Sequence, residues 1–184
     1  MQASYLRLLP FILLKFLLNG VKFSLRDFPE RVYTSEEVKT AKELIDEGYK
    51  HKLTVEGSLD FKLKVNNALE LIKTAGYFEF LSANIRKIME IDGITQLRET
   101  EVAIWANKFA VENPVDSASL LIQKAYQMKE YLEGVVYYGG NAEKRSVGKR
   151  IEFLQTLWDR TVDRNVKEEC ERLLQLWKES SLAF

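Results

Sequence analysis

Apolar residues recur along this chain with two different periods, and the switches between them divide it into elements. Thr34 followed three residues later by Glu37 forms the reciprocal pair of a helix start. Val38, Ala41, Leu44 and Ile45 then share one face until Gly48 ends the run. In LTVEG, residues 53–57, Leu53 and Val55 alternate with Thr54 and Glu56, which predicts a short half-buried strand. Past Ser58 and Asp60, either of which suits a cap, Phe61, Val65, Ala68, Leu69 and Ile72 return to helical spacing and stop near Gly76. Phe78, Leu81, Ile85, Ile88 and Met89 continue that spacing, so a second helix in series is expected before Asp92 and Gly93.

Between Gly93 and Pro114 the helical period is lost. Ile94, Leu97, Val102, Ile104 and Trp105 fall in two short runs around RETE, the pattern of two strands in a loose hairpin. Helices follow from Asp116 or Ser117 to Glu133, closed by Gly134, and from Asn141 to Trp158, with Val147, Ile151, Leu154 and Trp158 on one face. A last stripe runs through Val166, Cys170, Leu173, Leu174 and Trp177. The expected class is α+β, mostly helical with a small sheet of about three strands. It divides into a helical extension over 1–48 and a domain over 49–184 that ends in the C-terminal helix.

The segment YLRLLPFILLKFLLNGVKF changes the picture at one end. Its apolar run from Leu8 to Leu18 is broken by Lys15 and carries Pro10, too short and too charged for a membrane span, and no small-x-small cleavage site follows. A helix docked on the domain or on a partner chain is expected, which would make the protein an oligomer. A helix lying on a membrane surface is the less favoured reading.

Charge narrows the classes of function. Among 184 residues, 27 basic and 27 acidic side chains cancel, and no basic stripe dominates a segment, so a nucleic-acid partner is not expected. A lone cysteine, Cys170, allows neither an internal disulfide nor a cysteine-built zinc site, and points to a reducing, cytoplasmic setting. A lone histidine, His51, is the tightest limit, because Ser-His, Cys-His and most metal chemistry depend on imidazole. His51 reads as a surface or strand-edge residue, and Cys170 as a core residue.

On the helix around residue 120, Ala118, Leu121, Ile122, Ala125, Met128 and Leu132 form an apolar stripe. Gln123, Lys124, Gln127 and Glu130 project from the other side, with 123 and 127 stacked one turn apart. Two imidazoles at that spacing would grip one zinc ion, and a carboxylate at 124 would serve as general base. The residues present are two amides and an ammonium.

The run of elements, strand LTVEG, helices FKLKVNNALELI and YFEFLSANIRKIM, strands around TQLRETEVAIW, helix ASLLIQKAYQ and turn YYGGNAEKRS, resembles the minimal gluzincins, small zinc-peptidase domains of thermophilic microbes. The resemblance spans roughly residues 50 to 158. It implies a zincin-like fold in which Gln123 and Gln127 stand at the two histidine positions of His-Glu-x-x-His, Lys124 at the general-base glutamate and Glu143 at the third ligand. Three of the four depart from the pattern. The expectation is a pseudoenzyme without zinc or other cofactor, kept as a binding or structural module. The alternatives are a helical adaptor unrelated to zincins, and a hydrolase that gathers Glu130, Glu133 and Glu143 in one cleft.

Overall fold

The computed structural model describes residues 53–181 together with Glu36, Lys39, Thr40 and Glu43. Those four are helical, in keeping with the start read at Thr34, and Thr40 Oγ1 donates to the Glu36 carbonyl. The apolar segment from Leu8 to Leu18, and His51, lie outside the described residues.

Strand β1 (Thr54–Glu56) leads into α1 (Leu59–Thr74) and the short α2 (Phe78–Asn84). Strands β2 (Lys87–Ile91), β3 (Gln96–Arg98) and β4 (Ala103–Asn107) follow, and then α3 (Pro114–Leu132), α4 (Gly140–Arg160) and α5 (Arg164–Ser181). The four strands form one sheet in the order β1-β2-β4-β3. β1, β2 and β4 are parallel, and β3 runs antiparallel along the outer edge of β4, with Leu97 opposite Ile104. The class is α+β, as the alternation of periods implies.

Two corrections concern element type and number. Ile85, Ile88 and Met89 are not a continuation of a helix: α2 stops at Asn84 and Ile88 lies at the centre of β2, so the sheet has four strands rather than three. The apolar spacing was ambiguous because Phe78, Leu81, Ile85, Ile88 and Met89 keep a helical interval across the junction, and a strand of five residues is too short for its own period to stand out. An all-helical architecture is thereby excluded.

Helix starts also shift. Asn113, not Asp116 or Ser117, caps α3: its side chain accepts from the Val115 and Asp116 amides at 3.0 and 2.9 Å, with Pro114 in the first turn. Proline suits that turn because it needs no amide donor and its φ is already helical. At α4, Gly139 rather than Asn141 holds the cap, at φ 74°, and makes no side-chain cap bond. The turn chemistry expected of YYGG is present, since Gly140 also has positive φ, at 31°.

The core lies between the sheet and the helices. Phe61, Val65 and Ile72 of α1, Ile88 and Ile104 of the sheet, Leu121, Ile122 and Met128 of α3, and Phe153, Leu154 and Leu157 of α4 are all fully buried. α3 packs against α1, α2, α4 and α5 and touches β3, so it is enclosed on nearly every side. Cys170 is buried in the same cluster, where loss of hydration pushes its thiol up to about 12. Among the described residues, no helix is long and apolar enough to cross a membrane.

Candidate functional site

α3 is central, and its polar residues are therefore not solvated. Gln123 and Gln127 are each only 5% exposed and Glu130 only 4%, which corrects the reading of a polar outer face. Burial obliges each of these groups to find a partner, because an unmatched buried amide costs about 1–3 kcal/mol. The partners of Gln123 and Glu130 come from α4, which runs antiparallel to α3, and that of Gln127 is Lys124 on α3 itself. Asp116, Ser119 and Gln123 recur at helical spacing on α3, and Glu143, Ser146 and Arg150 recur at the same spacing on α4.

The two rows interlock. Arg150 donates through Nε to Ser119 Oγ at 2.8 Å, through one terminal nitrogen to Gln123 Oε1 at 3.0 Å, and through the other to Asp116 Oδ1 at 2.6 Å. The other end of the Gln123 amide donates to Glu143 Oε1 at 3.1 Å and to Ser146 Oγ at 3.2 Å. Arg150 also lies over the Trp177 ring of α5, 4.4 Å from its centroid. Burial draws the Arg150 guanidinium below its ordinary range, with the Asp116 carboxylate opposing.

One turn along α3 the arrangement opens. A cavity of about 320 Å³ is lined by Thr95, Gln96 and Leu97 at the sheet edge, Glu99 beyond it, Lys124 and Gln127 on α3, Tyr137 and Tyr138 on the connecting turn, and Glu143 at the start of α4. Glu99 is held there by the turn from β3 to β4, where a 3-10 turn over Glu99–Glu101 ends at Val102 in the left-handed region at φ 50°. That conformation is rare for a β-branched residue and reverses the chain within one position. The Tyr137 hydroxyl donates to Glu99 Oε1, and the Tyr137 and Tyr138 rings meet edge to face at 4.9 Å.

Lys124 Nζ donates to Gln127 Oε1 at 3.0 Å, and among the described residues no carboxylate forms an ion pair with it. Burial lowers the Lys124 ammonium from its ordinary value. Glu143 and Glu99 pull it back up, and Arg150 adds to the lowering.

Of the four positions singled out by sequence, Lys124, Gln127 and Glu143 share the cavity, while Gln123 lies behind it and donates to Glu143, and Lys124 donates to Gln127. The carboxylate trio does not gather. Glu130 is bound by Arg145, Glu133 pairs with Lys129 at the surface, and of the three only Glu143 reaches the cavity. Sequence reasoning missed Glu99, Tyr137 and Arg150. The repeat of Glu143, Ser146 and Arg150 opposite Asp116, Ser119 and Gln123 was the signal for the last of these.

The donor set does not fit zinc. Both ends of the Gln123 amide are engaged by Arg150, Glu143 and Ser146, and Lys124 sets a cation on the wall where a metal would need neutral or anionic donors. Among the described residues, no group of three or more His, Cys, Asp or Glu is placed to hold a metal ion. No family model matches the chain, and neither does any curated protein or solved structure.

Proposed function

We propose that the chain is a zincin-like pseudo-metallopeptidase, a domain that keeps the cleft of a zinc peptidase without its metal chemistry and uses it as a binding module. The observation that carries this reading is that Glu143 of α4 meets the α3 positions: it lines one cavity with Lys124 and Gln127 beside the edge strand β3, and accepts from Gln123 behind that cavity. Helical spacing alone brings 123, 124 and 127 together, so the weight falls on Glu143, which comes from a second helix. The small sheet packed beside α3 agrees with the same reading, and an all-helical bundle would have opposed it. Peptide hydrolysis is not proposed, since amides at 123 and 127 are poor zinc ligands and Lys124 offers no carboxylate base.

The test rebuilds the ligands. Gln123→His, Lys124→Glu and Gln127→His together would place two imidazoles within reach of Glu143 and remove the cation between them. Zinc titration of the folded triple variant is expected to show binding that the parent lacks and that a further Glu143→Ala abolishes. A folded triple variant that binds zinc no better than the parent would end the reading.

The apolar segment from Leu8 to Leu18 is proposed as the docking element of this module, on a partner protein or on a second copy. Removal of residues 1–24 is expected to lower the melting temperature or the mass in solution. Unchanged values for both would refute the docking role.

A further inference from the structure

Among the described residues, Lys124 is the cation that lines the cleft, and the fold engages it lightly. Its ammonium carries three donor hydrogens and has one neutral acceptor, Gln127 Oε1 at 3.0 Å, while neighbouring Arg150 meets acceptors on all sides. A half-buried lysine on the wall of a cavity of about 320 Å³ is placed to meet a small ligand. The charges around it decide the ligand's chemistry. Glu143 of α4 lines the same cavity, so a carboxylate or phosphate entering it would face a like charge. The ligand best matched to Lys124 is therefore a neutral oxygen acceptor. The edge-to-face pair of Tyr137 and Tyr138 provides an apolar wall for its substituent.

We infer that Lys124 is an amine nucleophile that captures a small aldehyde or ketone in this cleft as a reversible imine. The inference rests on the cleft being a binding site, not on its descent from zinc peptidases. The ammonium first gives one proton to the solvent that enters the open cleft. The nitrogen lone pair then adds to the carbonyl carbon, the C=O π pair moves to oxygen, and a proton passes from nitrogen to that oxygen to give the carbinolamine. The hydroxyl takes up a proton from solvent and departs as water, which leaves the protonated C=N bond, and hydrolysis reverses every step without any change of oxidation state. Burial favours the reactive neutral amine, as expected of a lysine set in a desolvated pocket.

The test uses the full chain, butanal as the probe, sodium borohydride to reduce the imine to a stable secondary amine, and peptide mapping by mass spectrometry. Lys144, exposed on α4, serves as the internal comparison. At neutral pH and low butanal, Lys124 is expected to label at least about tenfold faster than Lys144, as desolvation of the amine dictates. Lys124→Arg, which keeps the charge but not the nucleophile, should lose only that adduct. Labelling of Lys124 no faster than Lys144 in the wild-type chain overturns the inference, whether or not the variant folds. Because zinc rebuilding and imine trapping read different properties, either can fail alone: loss of the first removes the descent, and loss of the second removes the ligand class.

Discussion

Two stretches of the contact between α3 and α4, one helical turn apart, are built from the same kinds of residue and do opposite things. Around Arg150, the donors meet Asp116, Ser119 and Gln123, and the guanidinium is buried against the Trp177 ring while Asp116 keeps one side to solvent. Around Lys124, a cation of the same sign has one neutral partner and an open cavity beside it. A buried guanidinium with matched acceptors fixes the spacing of the two helices, because its planar fork accepts little displacement. An ammonium with donors to spare fixes nothing and is available to a ligand. The sealed stretch is structural, and its rigidity is what holds the open stretch in shape.

The largest expected effect lies in the sealed stretch. Arg150→Met removes the fork and orphans Gln123 Oε1, Ser119 Oγ and the Asp116 carboxylate together. Stability should fall by about 3–5 kcal/mol, the range for breaking a buried charged network from one side. Urea denaturation measures this directly, and a loss below about 1 kcal/mol, the ordinary worth of an exposed ion pair, would show that the network is solvated.

The two glutamines sharpen the comparison at intermediate size. Gln123→Leu should cost roughly 1–3 kcal/mol, because it strips acceptors and donors from Arg150, Glu143 and Ser146 at once. Gln127→Leu, whose counterpart is the adaptable Lys124, should cost under about 1 kcal/mol. Both sit at 5% exposure, so burial alone predicts equal effects. Equal losses in matched denaturation curves would erase the distinction between the two stretches.

How much of this could be read from the chain depends on which physical signal each residue leaves. α1, α3 and α4 were legible because each turns one apolar stripe toward the core, and β1 because its neighbours alternate. β2 was not, since Phe78, Leu81, Ile85, Ile88 and Met89 keep a helical interval straight across the end of α2 at Asn84 and into a strand of only five residues. The four positions of the site could be placed from spacing and order. Their burial could not, because a helix enclosed by α1, α2, α4 and α5 carries its polar groups inward, and only the matching row on α4 betrays that. Glu99 left no signal at all: in RETE it reads as one charge among several, and its place in the cleft comes from the reversal at Val102.

The smallest effect, and the one that separates the stretches by sign, concerns Lys124 itself. Lys124→Met keeps the length and apolar stem of the side chain and removes the charge, so it should stabilise the protein where Arg150→Met destabilises it. The gain should be on the order of 1 kcal/mol or less, since the cleft is open to water. Its dependence on pH follows from the lowered folded-state value of the lysine, set chiefly by burial. Below that value the ammonium is charged in both states, and the wild-type chain carries the full cost of burying it. As pH rises through the folded value toward the ordinary 10.5, the folded form sheds its proton first and the wild-type chain gains stability that the variant cannot. The advantage of Lys124→Met should therefore be greatest at the acid end of the range and close by about pH 10.5. Denaturation midpoints of the two proteins across that range measure the gap directly. A gap that stays constant, or that favours the wild-type chain at neutral pH, would mean that the ammonium is satisfied within the fold and that both stretches of the contact are structural.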